Sequence, residues 1–273
     1  MKRGLLVFSL FVSSLAWAAQ PAPDRVVSLG GSVTEIVYAL GQGTLLVAND
    51  ASSLYPEAAT RLPRVGYYRA VPVEGVVAQA PDLVLASENA GPPTALERLK
   101  GLGLAVKIVT DQPTLDSLYR RIEQVALELR VPDAGRQLAG KVRSDVAAAQ
   151  GMPVTSRRAL VLVNRSGPLM GAGRDTAADA ILELAGLNNA LAQQKGYKPI
   201  SAEGLAMLAP ELIIITAASL QASGGMEKLR TGAGIASTPA AKNNRIIAMD
   251  DLLIQGIGPR VGQAIRQLKE AAR

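Results

Sequence analysis

Short runs of apolar, mostly β-branched residues alternate along this chain with segments whose apolar positions recur every three or four residues. Residues 25–29, 45–48, 83–86 and 105–109 are runs of the first kind and predict strands. Between them, residues 32–40, 73–80 and 94–100 are expected helices, the first capped by Ser32 and ended by Gly41. Strands that are apolar throughout are covered on both faces, which implies a parallel sheet between layers of helix. The pattern restarts later, with strands at 159–163, 212–215 and 246–249. Its helices fall at 176–185, ended by Gly186, and at 202–208 and 260–272. The stretch between the two blocks has no strand-like run. Leu115, Leu118, Ile122, Val125 and Leu129 mark one face of a helix, Val131-Pro132 breaks it, and Asp133 can cap a second helix running to about residue 150. The expected architecture is α/β, with two lobes built on parallel sheets, joined by helix, and a ligand cleft between them. The expected boundaries are 19–131 for the first lobe, 132–152 for the connecting helix and 153–273 for the second lobe. A helical link is stiff, so the lobes are expected to open only to a limited extent.

The first residues bear on compartment. Lys2 and Arg3 precede an apolar run over 4–17, and Ala16-Trp17-Ala18 places small residues where a signal peptidase reads. A cleaved signal peptide over 1–18 is expected, and with it export to the periplasm. No Cys follows to carry a lipid anchor. The apolar run is short for a bilayer span, and no later stretch is long enough for stable membrane insertion. The chain has 0 Cys and 0 His. That removes thiolate metal sites, Ser-His-Asp chemistry and His-based zinc sites, so an enzyme is not expected. The net charge of +6 is spread without a basic block, which gives no reason to expect nucleic-acid binding.

Aromatic residues make up 3% of the chain, so each tyrosine carries weight. Gly66-Tyr67-Tyr68-Arg69 falls in the long connection after the second strand, beyond the carboxyl ends of the strands, where open parallel sheets bind ligands. Phenolate is a hard oxygen ligand for ferric iron, and a guanidinium nearby favours it. In an extended loop Tyr67 and Arg69 point the same way. Ordinary packing in a turn is the bland alternative. Tyr38 and Tyr119 fall on amphipathic helices and read as packing, Tyr55 as a loop residue, and Tyr197 as a second cleft candidate. The glycine-rich segment 164–176 lacks the phosphate-loop and dinucleotide spacings and reads as a cleft-lining loop, with Asp175 or Thr176 capping the next helix. Met170 in that segment could touch a flat apolar ligand. Residues 71–85 and 200–214 also repeat one another, each as a loop, a Glu-Gly helix, a Pro-acid turn and a strand. Glu74 and Glu203 are thereby equivalent, either as first-turn helix carboxylates or as paired acidic knobs that dock on basic groups of a partner.

The segments 25–29, Tyr55-Pro56-Glu57, Glu74-Gly75 with Pro81-Asp82, 173–179 and Gly258-Pro259-Arg260 resemble the periplasmic substrate-binding proteins of bacterial ABC importers. Their two Rossmann-like lobes are joined by a long rigid helix. Val65-Gly66-Tyr67-Tyr68-Arg69 resembles the haem-binding subgroup. That resemblance implies Tyr67 as the axial ligand of ferric haem b (Fe3+ protoporphyrin IX), the transported cargo, with Arg69 supporting the phenolate. It assigns no role to Tyr68. It implies that Glu74 and Glu203 dock on an inner-membrane permease dimer coupled to its ATPase, and that the carrier is a monomer. Cobalamin or a ferric siderophore is the alternative cargo, and a periplasmic enzyme or a pure interaction module is the alternative class.

Overall fold

A computed structural model describes residues 22–164 and 167–273. The expected signal peptide over 1–18 lies outside the described residues.

The first block forms β1 (Val26–Leu29), α1 (Gly31–Ala39), β2 (Leu46–Asn49), the short α2 (Glu57–Thr60), α3 (Val73–Val77), β3 (Leu83–Ser87), α4 (Pro93–Gly101) and β4 (Ala105–Val109). Its four strands are parallel in the order β2-β1-β3-β4. The inner strands β1 and β3 are buried at every residue, whereas Ala105, Lys107 and Ile108 of the edge strand β4 face solvent. Ser32 does not cap α1. The helix begins one residue earlier, the backbone of Gly30 takes the cap position, and the Ser32 hydroxyl is turned inward to polar groups described below.

The intervening helices are α5 (Leu115–Glu128), capped by the Thr114 hydroxyl, and α6 (Pro132–Gln150). Val131 occupies the cap of α6 with no side-chain bond, and Asp133 pairs instead with Arg136 in the first turn. Pro132 at the first helical position has no N–H to satisfy, so this helix start has one orphan donor fewer.

The second block forms β5 (Arg158–Val163), β6 (Met170–Ala172), α7 (Ala177–Leu184), β7 (Asn188–Asn189), β8 (Tyr197–Pro199), α8 (Ala202–Leu208), β9 (Leu212–Thr216), α9 (Ala217–Ala222), α10 (Met226–Arg230), α11 (Pro239–Lys242), β10 (Ile246–Met249), α12 (Asp251–Gln255) and α13 (Val261–Ala271). This sheet runs β10-β9-β5-β6-β8 and is mixed rather than parallel, since β6 is antiparallel to β5 and β8 to β6. Strands of three residues carry too little pattern to be seen in the sequence.

The lobes are fused through helices. α6 packs against α5 and α13. One apolar core runs from Val26 and Leu85 through Leu118, Ile122, Val142 and Val146 to Ile181, Ile265 and Leu268. Gly135 lets α5 and α6 approach closely, because a Cβ there would stand 2.5 Å from that of Ala126. Each lobe adds its own cluster on the other face of its sheet. Two arginines tie the seam. Arg121, fully buried on α5, pairs with Asp111 and donates to the Ser32 hydroxyl at 3.1 Å and to the Ile257 carbonyl of the second lobe at 2.6 Å. Burial pulls its pKa down to about 10. Arg260 of the second lobe holds Glu35 of α1 through two bonds, at 3.0 and 3.2 Å, and Asp250 at 3.0 Å. Its guanidinium lies 3.5 Å above the ring of Tyr55, which is therefore a platform at the seam rather than loop packing alone.

Candidate ligand site

The carboxyl edge of the first sheet faces the second lobe. Gly31, just after β1, lies so close to that lobe that a Cβ would stand 2.8 Å from Leu252 Cδ1. After β2 the chain loops out and folds back on the strand end. Asn49 N–H donates to the Pro63 carbonyl at 3.0 Å, Val65 N–H to Asn49 at 2.9 Å, and Ala51 N–H to Gly66 at 2.7 Å. Gly66 has φ +105°, and a Cβ there would meet Pro72 Cγ at 2.9 Å, so both the conformation and the space require glycine.

Residues 67–70 then make a tight turn closed by Ala70 N–H on the Tyr67 carbonyl at 2.8 Å. The peptide groups of Tyr68 are held on both sides. Its N–H donates to Asp50 Oδ2 at 3.2 Å, and its carbonyl accepts from Gly91 at 2.9 Å. Asp50 is fully buried and also accepts from the Gly30 and Ser52 N–H groups at 2.9 Å each and from the hydroxyls of Ser52 and Ser53 at 2.9 and 3.1 Å. This carboxylate organises the edge, yet an acid following a strand is too common to have been singled out by sequence.

The Tyr67 ring is half-buried and meets the Tyr68 ring edge to face, with centroids 5.1 Å apart. The turn corrects one expectation. Tyr67 and Arg69 are not in an extended loop, and the Arg69 guanidinium lies 5.0 Å over the ring of Tyr68. Burial raises the Tyr68 hydroxyl above its usual pKa, while Arg69 pulls the other way.

On the second lobe, β6 and β8 turn much of the expected glycine-rich loop into a ribbon. Met170 pairs with Val163 at the carboxyl end of β5, whereas Tyr197 pairs with Ala172, further from that edge. Met170 is thus better placed toward the first lobe than Tyr197. Thr176 caps α7, and Asp175 pairs with Lys195 at 3.3 Å. Arg174 and Gly196 are tied into backbone pairing with one another and with Gln194.

The sequence repeat is structural. Ala80 and Ala209 share a left-handed backbone, with φ 45° and 43°. Asp82 accepts from the N–H of Arg25 before β1, and Glu211 from that of Arg158 at the start of β5. Glu74 and Glu203 stand exposed in the first turns of α3 and α8. Glu74 pairs with Arg98 at 3.5 Å. The Glu203 carboxyl is held below the usual range by its own backbone N–H and by Ser201. Met207, one turn beyond Glu203, is 84% exposed.

Among the described residues no group of three or more Asp and Glu could hold a metal, and no helix is long and apolar enough to cross a membrane. A family model for periplasmic binding proteins matches residues 26–253. The periplasmic heme-binding protein RhuT from Roseiflexus sp. RS-1 superposes with a TM-score of 0.86 at 37% identity, covering 91% of this chain and 97% of that one. A periplasmic heme-binding protein from Pseudomonas aeruginosa gives 0.80 at 35% identity, covering 92% of each. The vitamin B12-binding protein of Vibrio parahaemolyticus is 28% identical, over 99% of this chain and 96% of its own.

Proposed function

Because this chain belongs to the periplasmic binding protein family, we propose that it is exported to the periplasm, captures ferric haem between its lobes and hands it to an inner-membrane ABC permease. The observation that carries this reading is the Gly66–Ala70 turn, which fixes a tyrosine pair and an arginine on the edge facing the second lobe. The heme-binding proteins of the same fold support it. Tyr67 supplies the phenolate oxygen to the iron, and Arg69 donates to that oxygen and stabilises its charge. Leu54, exposed beside Tyr55, and Met170 supply apolar surface to the porphyrin. Lobes 19–131 and 153–273 move little about the segment 132–152, because they share one core. Glu74 and Glu203 dock on basic pockets of the two permease subunits.

Cobalamin is the second reading, favoured by the B12-binding relative. Titrating the purified mature protein with haemin and, separately, with cyanocobalamin decides between them. Haem capture predicts a saturable Soret change and no response to cobalamin. Saturable cobalamin binding with only non-saturating haemin association would overturn it.

A further inference from the structure

The resemblance that points to Tyr67 and Arg69 leaves Tyr68 without a role, but the turn does not. We propose that Tyr68 is a positioning residue: its ring carries the Arg69 guanidinium and packs against the Tyr67 ring, and Asp50 and Gly91 hold the Tyr68 backbone so that the ring cannot drift. The inference rests on the haem reading for its purpose, though not for its geometry.

Arg69 is exposed, and a free arginine side chain samples many rotamers. Its guanidinium instead stands 5.0 Å from the Tyr68 centroid, within reach of a cation–π attraction. The guanidinium also lies close enough to the Tyr68 hydroxyl to stabilise its phenolate, and its remaining N–H donors are available to another acceptor. The Tyr67 ring is packed 5.1 Å from the same Tyr68 ring. Both functional side chains therefore take their positions from one central ring. That ring is set by its backbone, whose N–H and carbonyl are engaged at 3.2 and 2.9 Å by groups outside the turn. Asp50 is itself fixed by four further donors. The chain of cause runs from a buried carboxylate to a peptide, from the peptide to a ring, and from the ring to the cation.

Three variants separate the parts. Tyr68→Phe keeps the aromatic face, Tyr68→Leu removes it, and Tyr68→Met is a second aliphatic replacement should the leucine variant fold poorly. In the protein without haem, the Arg69 Nε–H resonance, assigned by its loss in Arg69→Lys, should show an upfield ring-current shift. That shift should persist in Tyr68→Phe and collapse toward the random-coil position in the aliphatic variants. With haemin added, the aliphatic variants should move the phenolate charge-transfer band in the same direction as Arg69→Ala and lose about fivefold in affinity, as expected for one cation–π contact. Tyr68→Phe keeps the aromatic face but loses the hydroxyl that Arg69 stabilises, and it should fall between wild type and the aliphatic variants. An unshifted Arg69 resonance in wild type, or one unchanged in a folded aliphatic variant, overturns the proposal while haem capture stands. Failure of wild type to bind haemin overturns the haem reading, and the resonance still decides whether Tyr68 positions Arg69.

Discussion

Tyr67 was visible in the sequence because aromatics are scarce and because it follows a glycine in a long connection after a strand. The structure explains the glycine. With φ +105° and Pro72 Cγ 2.9 Å from any Cβ, Gly66→Ala should destabilise the protein by about 1–3 kcal/mol, read as a lowered midpoint in urea unfolding. An unchanged midpoint would mean that the turn relaxes freely. Arg69 was also visible, but its partner was not. Alternation in an extended loop put it beside Tyr67, whereas a turn closed between residues 67 and 70 puts it over Tyr68. In the proposed role of supporting the iron ligand, Arg69 should contribute about 10–100-fold to haemin affinity, measured with Arg69→Ala. A variant that binds as tightly as wild type would remove it from the site. Asp50 was invisible because its importance lies in five donors that come from three separate segments of chain.

At the scale of elements, long periodic helices and apolar strands were legible to within a residue or two. α5, α8 and β4 fall where the pattern put them. The ribbon of β6 and β8 was not legible, because its strands are three residues long and its hydrogen bonds are made to distant chain. The repeat could be read because it preserves chemistry at matched offsets: a first-turn glutamate, a left-handed alanine, and an acid that ties the following strand to its neighbour. The two glutamates do not serve the fold equally. Glu74 has an exposed partner in Arg98, and Glu203 caps its own helix turn with Ser201. Neither is buried, so Glu74→Lys and Glu203→Lys should leave melting and haemin binding near wild type while abolishing haem uptake by cells that depend on this carrier. Loss of haemin binding in these variants would place the glutamates in ligand capture instead.

Across the whole molecule, the decisive feature is that the two lobes are not independent bodies. They share an apolar core and two cationic ties, one through the buried Arg121 and one through the partly buried Arg260. Removing Arg260 leaves Glu35 buried without its partner, and Arg260→Ala should cost about 3–5 kcal/mol in unfolding free energy. Burial raises the Glu35 carboxyl above the usual carboxylate range, and Arg260 opposes that rise. A raised folded pKa gives stability that is complete below the unfolded value of about 4.3 and is lost as pH rises through the folded one. Wild type should therefore lose stability relative to Glu35→Gln as pH is raised from 4 toward neutrality, and parallel pH profiles would contradict the assignment. Sequence alone could place Arg260 in a family motif, but its contacts with Glu35 lie 225 residues away along the chain.

In the proposed carrier it is the Tyr67 phenolate, rather than that of Tyr68, that binds the iron. Visible absorption spectra of haemin-loaded wild type and Tyr67→Phe test it most directly. Wild type should give a saturable high-spin ferric spectrum with a phenolate charge-transfer band, and the variant should lose that band and bind much more weakly. An unchanged spectrum in Tyr67→Phe would contradict it.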